Sequence, residues 1–248
     1  MEKRQKNGKT QFAYLLPNLF TAASAFLGVA SIAAAAQDNF SRAAFYIILA
    51  LICDGLDGRV ARLTKTTSKF GVEFDSLSDV IAFGVAPAMF FYFSVGDSYG
   101  RVGVLLAAIY AIFGAIRLAR FNVMSPSSEP SVFIGLPIPT AAVLVVMWGL
   151  MFQKYEIFAG FDYALLALQA LASFLMVSNI RYPSFKKMDF KKSQNIKILT
   201  ILVIIFSTIY IFRITAITIF VSIYVLYGIV RVAYNYIIAK IKKNKYNT

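Results

Sequence analysis

Four aspartates with helical spacing are the residues of this sequence best suited to chemistry. Asp54 and Asp57 are three residues apart, and Asp75 and Asp79 are four residues apart. Residues with this spacing share one face of a helix. Because the connection between the two pairs is short, we expect two antiparallel neighbouring helices that bring all four carboxylates together.

Carboxylates this close repel one another, so they must be protonated, balanced by basic side chains or bound to cations. Arg59 and Arg62 could supply part of the balancing charge. The 248-residue chain has no His and a single Cys, Cys53, which excludes a Ser-His-Asp triad and leaves hard cations with oxygen ligands as the candidate metals. One or two Mg²⁺ or Mn²⁺ ions fit best, and a two-metal carboxylate site suits phosphoryl transfer.

The composition indicates that these aspartates belong to a membrane protein. Apolar residues make up 59% of the chain and charged residues only 15%, against about a quarter charged in ordinary soluble domains. The mean hydropathy of +0.68 points the same way and excludes intrinsic disorder. The net charge of +13 therefore indicates basic residues beside anionic lipid, with no nucleic-acid partner.

Eight apolar segments are candidate membrane spans, so we predict an all-α polytopic membrane protein. A span needs roughly 17–25 residues to cross the hydrocarbon. The last two segments form one apolar stretch that only Arg213 interrupts, and a tight hairpin at that residue is the favoured interpretation. The segments are 13–36, 43–61, 72–95, 102–121, 132–152, 160–178, 196–212 and 214–239.

The distribution of basic residues predicts the orientation. With eight spans, the loops on one side contain only Arg42, Arg101, Lys154 and Arg213, and the remaining Lys and Arg fall on the other side. The positive-inside rule then places both termini in the cytoplasm and the aspartates near the cytoplasmic face of the inner membrane.

The aspartate segment resembles the signature of the CDP-alcohol phosphotransferase family, D-x-x-D-G-x-x-A-R-x8-G-x-x-x-D-x-x-x-D. Every fixed position of that signature agrees with this sequence. The matching residues are Asp54, Asp57, Gly58, Ala61, Arg62, Gly71, Asp75 and Asp79. The resemblance implies a six-helix membrane core, which we place at residues 1–195, followed by an additional helix pair and basic tail at 196–248.

The resemblance also implies a role for each matching residue. Asp54, Asp57 and Asp75 are expected to bind two Mg²⁺ or Mn²⁺ ions, and Asp79 is expected to be the catalytic base and to contact the second metal. The donor is then a CDP-linked lipid, and CMP leaves. The residues expected to contact that lipid are Asn18, Gly58, Arg62 and Ser68.

Three later segments, 115–122, 133–142 and 182–186, resemble the membrane-integral branch of the family that uses serine. This resemblance implies transfer of the phosphatidyl group from CDP-diacylglycerol to the hydroxyl of L-serine, in a homodimer. Arg117, Arg120 and Asn122 are candidate acceptor contacts, because an Arg pair suits a carboxylate. Equally, the two arginines could balance the acidic cluster or follow the positive-inside rule, and Asn122 could cap a helix.

Two alternatives remain at this point. The same donor chemistry could serve another alcohol, such as glycerol 3-phosphate or an inositol phosphate. Alternatively, the carboxylates could be ion ligands of a cation-coupled transporter. The three later segments favour serine over the other alcohols.

Overall fold

A computed structural model describes residues 2–64, 66–124, 132–158, 160–183 and 195–246, and most of these residues are helical. Strands β1 (Val132–Ile134) and β2 (Arg181–Pro183) form a two-stranded antiparallel sheet in which Phe133 lies opposite Tyr182. The helices are α1 (Glu2–Ala35), α2 (Phe40–Thr64), α3 (Lys69–Asp79), α4 (Ala86–Ser94), α5 (Arg101–Met124), α6 (Ile138–Lys154), α7 (Asp162–Val177), α8 (Asn195–Phe212) and α9 (Ile214–Tyr246).

Helices α3 and α4 continue one another through a π-helical segment, Val80–Val85. Together they form one span, Lys69–Ser94. Helix α1 crosses this segment closely at Gly28, where a Cβ atom would lie 2.8 Å from the Cα of Ala82. A π-helical turn is uncommon and often lies at a functional site, and this one begins directly after Asp79.

Helix α6 forms the centre of the fold. Its 17 residues extend about 25 Å, which is short for the roughly 30 Å of hydrocarbon. It is nevertheless buried nearly all round, as an entirely apolar helix should be. Its most deeply buried residues are Ile138, Ala141, Ala142, Leu144, Val146 and Met147.

The helices confirm an all-α membrane protein. Within the part of the chain that the structure describes, four helices are long and apolar enough to cross a membrane, and shorter apolar helices include α6 and α7. Helix α2 is long enough at 25 residues but carries charged residues in its second half. The candidate spans are Leu15–Ala35, Lys69–Ser94, Arg101–Met124 and Ile214–Val232.

Two predicted boundaries can be compared with the structure. The fifth apolar segment was predicted to begin at residue 132, and this start is wrong. Residues Val132–Ile134 form β1 instead, and α6 begins only after Pro137, whose ring fits the first turn of a helix better than its interior. The helix is broken at Arg213, which adopts φ 46° between α8 and α9; a tight hairpin at this break stays a prediction.

The two C-terminal helices differ in how they pack. Helix α9 packs on α6, with Ala216, Thr218 and Val225 almost fully buried. The indole of Trp148 on α6 donates a 3.0 Å hydrogen bond to the Ser222 hydroxyl on α9. Between residues 203 and 212, α8 by contrast leaves large apolar side chains exposed, which suits a surface that faces lipid. These side chains include Val203, Ile204, Phe206, Ile211 and Phe212.

Candidate active site

The structure brings the four aspartates together at the facing sides of α2 and α3. One carboxylate oxygen from each of Asp54, Asp57 and Asp75 lies within 4.8 Å of the other two. The Asp79 carboxyl group lies in hydrogen-bonding reach of Asp54, and Asp57 lies in such reach of Asp75. The antiparallel arrangement inferred from the spacing is therefore present.

The surroundings of this cluster indicate that a bound cation, rather than basic side chains, balances the negative charge of the carboxylates. No salt bridge joins any of the four carboxylates to a Lys or Arg among the described residues. Oδ1 of Asp79 is buried without a hydrogen-bond partner in the same part of the chain. A buried, partnerless carboxylate oxygen is costly unless a cation or proton binds it. Three converging oxygen ligands are what Mg²⁺ or Mn²⁺ prefers.

Thr21 on α1 holds one member of the cluster in place, and sequence reasoning left this residue out of the predicted site. Its hydroxyl donates a 2.7 Å hydrogen bond to Oδ2 of Asp57. The Ser78 hydroxyl donates in turn to the backbone carbonyl of Thr21 at 2.8 Å, which ties α1 to α3. The available signal was a small hydroxyl residue four positions after Pro17 in an otherwise apolar helix.

A cavity of about 200 Å³ opens beside Asp57 and Asp75, where α1, α2 and the start of α3 meet. The structure places all four residues predicted to contact the CDP-linked lipid along its wall. The lining residues from the predicted set are Asn18, Gly58, Arg62 and Ser68, joined by Thr21 and Gly71.

The start of α3 makes one end of this cavity favourable for an anion. Ser68 is the N-cap, and its hydroxyl oxygen accepts a 3.0 Å hydrogen bond from the backbone N–H of Gly71. The N-terminal turn of a helix carries a partial positive charge that attracts phosphate groups. A Cβ at Gly71 would lie 3.4 Å from Oδ1 of Asn18, so the glycine lets α1 approach closely.

Arg62 lies beside Gly58 on the same wall. A Cβ at Gly58 would lie 3.5 Å from the Nη1 atom of Arg62, and the Arg62 side chain is exposed to the cavity opening. A guanidinium group in this position can reach an anionic ligand.

Arg117 lies on the other side of the cluster, on α5. Only 8% of the residue is exposed, and its positive charge lies near the Asp79 carboxyl group. Its guanidinium carbon lies 5.8 Å from the centre of the Phe121 ring. The structure thus places this predicted residue next to the predicted base.

The other two predicted acceptor residues have protein partners. Arg120 donates to the carbonyl of Val177 at 3.4 Å and to Oδ1 of Asn179 at 2.7 Å, so it binds the C-terminal end of α7. Arg117 and Arg120 therefore have different neighbours, although they share α5.

Asn122 lies within the last turn of α5, so its possible role as a cap after the helix is wrong. Its amide Nδ2 donates a 2.9 Å hydrogen bond to the Ser76 hydroxyl on α3, one residue after Asp75. Its contact with the acceptor stays a prediction, as does that of Arg120.

The remaining two segments, 133–142 and 182–186, contain parts of the paired strands β1 and β2. Gly135 adopts φ 76°, and its N–H donates to the carbonyl of Ile180 at 2.8 Å. A side chain there would collide with the carbonyl of Met176, so glycine is needed for this close approach. Residues 184–186 of the third segment lie outside the described residues.

The comparison with known families agrees with the geometry of the site. The family model described as CDP-alcohol phosphatidyltransferase matches residues 14–178, which run from within α1 to the end of α7 and include every predicted site residue. The chain belongs to this family.

Curated relatives extend the similarity beyond that core. The CDP-diacylglycerol–serine O-phosphatidyltransferase of Helicobacter pylori (strain ATCC 700392 / 26695) is 50% identical over 94% of this chain and 96% of its own length. The protein of the same name from Bacillus subtilis (strain 168) is 33% identical over 69% of this chain and 92% of its own length. An archaetidylserine synthase of Methanothermobacter thermautotrophicus is 37% identical, covering 68% of this chain and 69% of its own length.

Proposed function

We propose that this chain transfers the phosphatidyl group of CDP-diacylglycerol to the hydroxyl of L-serine, giving phosphatidylserine and CMP. The observation that supports the reaction class is the convergence of three carboxylates within 4.8 Å beside a cavity with anion-binding features. The printed names of the Helicobacter and Bacillus relatives support serine as the acceptor.

The donor side of the site, defined as Asn18, Thr21, Gly58, Arg62 and Ser68, receives the CDP-linked lipid. Arg62 and the N-terminal turn of α3 attract the pyrophosphate, while Gly58 lets it approach α2 closely. Thr21 orients the Asp57 carboxylate through its hydrogen bond.

Asp79 acts as the base in this proposal. It accepts the proton of the serine hydroxyl as the serine oxygen forms a bond to the phosphorus attached to diacylglycerol, and the bond from that phosphorus to CMP breaks. Two Mg²⁺ or Mn²⁺ ions held by Asp54, Asp57, Asp75 and Asp79 would stabilise negative charge on the phosphate oxygens. The aspartates and α3 thus hold both reactants in place, which provides much of the catalysis of phosphoryl transfer.

The acceptor side comprises Arg117, Arg120 and Asn122. The guanidinium of Arg117 lies near Asp79, so it can bind the carboxylate of serine while the hydroxyl faces the base. Arg120 and Asn122 join the ends of α5, α7 and α3 around the same space.

The topology of the proposed enzyme follows the distribution of charge. Eight spans, with both termini in the cytoplasm, place the aspartates near the cytoplasmic face of the inner membrane, where serine is available. The resemblance to the family supports a homodimer.

Release of CMP from purified, detergent-solubilised protein tests this function. The protein is incubated with CDP-diacylglycerol, Mg²⁺ or Mn²⁺, and one acceptor at a time, with the Asp79→Asn variant as the blank. We expect metal-dependent CMP release with serine. Release with glycerol 3-phosphate or an inositol phosphate in place of serine would keep the mechanism and overturn the acceptor.

A further inference from the structure

A row of buried hydroxyl groups ties α1 to α2. The Ser31 hydroxyl donates a 2.9 Å hydrogen bond to the backbone carbonyl of Ala43. Two turns earlier on α1, the Ser24 hydroxyl donates to the carbonyl of Ala50 at 3.2 Å. Thr21 continues this row by one more turn, but its partner on α2 is a carboxylate of the aspartate cluster instead of a backbone carbonyl. The row therefore ends at the candidate metal site.

Ser78 makes the corresponding link between α1 and α3. Its hydroxyl donates a 2.8 Å hydrogen bond to the backbone carbonyl of Thr21, and only 2% of Ser78 is exposed. Two turns further along α1, Gly28 lies directly against Ala82 of the π-helical segment that follows α3. Because both contacts lie on the one span that α3 and α4 form, they fix the position of α1 along it, and with it the position of Thr21.

Thr21 joins these two links. Its backbone carbonyl accepts from Ser78 on α3, and its hydroxyl donates to Oδ2 of Asp57 on α2. All three residues are buried, so a lost partner is not readily replaced by water, and a buried polar group without a partner is costly. The position of Asp57 relative to Asp79, the next residue after Ser78, therefore depends on these two hydrogen bonds.

We propose that Ser78 is a positioning residue of the metal site, which acts through Thr21 to set where the Asp57 carboxylate lies among the other three. This inference rests on the part of the proposed function that assigns cations to the aspartates. Ser78 occupies one of the unspecified positions of the signature, and α1 has no aspartate of its own. The geometry of the metal site would then depend on a third helix that supplies none of the carboxylates.

Binding of Mn²⁺ to the purified full-length Ser78→Ala variant, without either substrate, tests this role. Electron paramagnetic resonance measures the free ion, so the result does not depend on turnover. We expect the dissociation constant for Mn²⁺ to rise roughly 10-fold, the smaller of the losses that are typical when a group supporting a metal site is removed. The Mn²⁺ concentration for half-maximal CMP release should rise by a similar factor, while the KM for serine keeps its wild-type value.

A matched control is Ser31→Ala, which removes a hydroxyl-to-carbonyl hydrogen bond of nearly the same length from an equally buried serine, farther along α1 from the aspartates. We expect both variants to lower the melting temperature by a similar amount, whereas only Ser78→Ala weakens Mn²⁺ binding. In a Thr21→Val background, Ser78→Ala should add little further loss of Mn²⁺ affinity, since residues that act through one another are not additive.

Equal Mn²⁺ affinity of Ser78→Ala and Ser31→Ala would overturn the inference and make Ser78 only a packing contact; the proposed function would stand if the wild type releases CMP with serine. Fully additive losses for Thr21→Val and Ser78→Ala would also overturn it, because Ser78 would then act by another route. A wild type that binds no Mn²⁺ would overturn it together with the metal assignment. Weaker binding in Ser78→Ala, in a protein that releases no CMP with any alcohol, would support the inference while the proposed function fails.

Discussion

The proposed donor side and the proposed acceptor side of the site are built in different ways. On the donor side, α1, α2 and α3 supply the cavity wall and the aspartates, and all of its residues lie between positions 17 and 79. On the acceptor side, Arg117, Arg120 and Asn122 all lie on α5, but Arg120 bonds to Asn179 after α7 and Asn122 bonds to Ser76 on α3.

This difference explains why one side is readable as a motif and the other is not. Fixed spacings along two adjacent helices place the donor side, so the residue types and the spacing describe it together. The acceptor side depends on how α5 packs beside α3 and α7, and no short spacing encodes that packing. A chain can therefore keep the donor chemistry while its acceptor changes through substitutions far from the aspartates.

Asp79→Asn should have the largest effect, because it removes the proposed base that accepts the proton of the serine hydroxyl. We expect turnover to fall about 10²- to 10⁴-fold, while binding of CDP-diacylglycerol stays close to that of the wild type. Equilibrium binding of the labelled donor, measured beside CMP release, checks both parts. Wild-type turnover in this variant would show that Asp79 is not the base.

Asp57→Asn should affect the metal requirement and turnover together. The substitution removes one ligand from the group that converges within 4.8 Å. We expect the Mg²⁺ or Mn²⁺ concentration for half-maximal activity to rise by about 100-fold. This is the largest loss of metal affinity that is typical when a group supporting a metal site is removed. A titration of activity against metal concentration measures the shift, and an unchanged midpoint would exclude Asp57 as a ligand.

Thr21→Val should produce a smaller change of the same kind. Valine keeps the shape of threonine but removes the 2.7 Å hydrogen bond to Asp57. We expect roughly a 10-fold loss in metal affinity or activity with the same KM for serine. Thr67→Val is a matched control, since Thr67 lines the same cavity and is exposed. Equal behaviour of the two variants would mean that the hydrogen bond from Thr21 does not position Asp57.

Asn122 offers the smallest and most discriminating comparison. Its amide binds the Ser76 hydroxyl, so Ser76→Ala alone removes that anchor and should reduce activity by only a few-fold. We expect Asn122→Ala to raise the KM for serine beyond the effect of Ser76→Ala, because the amide also faces the acceptor in our proposal. Identical kinetics for the two variants would reduce Asn122 to a link between α5 and α3.

In the fold, too, features that depend on local sequence could be predicted, and features that depend on the packing of distant segments could not. The apolar segments predicted where most helices lie, and even the turn at Arg213 could be inferred, because one charged residue interrupts an otherwise apolar stretch. Strand β1 was missed because Val132–Ile134 is as apolar as the helix after it, and only the pairing with β2 makes it a strand.

For the site, spacing was enough to predict that the aspartates converge. It could not reveal Thr21 as a partner of Asp57, since threonine in an apolar helix more often bonds to its own backbone.

The most direct test of the central claim follows labelled serine in sealed vesicles that contain the purified protein and CDP-diacylglycerol. We predict metal-dependent appearance of the label in the lipid phase, equimolar with CMP and absent in Asp79→Asn. Label that accumulates as free serine in the vesicle lumen, with no labelled lipid and no CMP, would contradict the account and indicate a transporter.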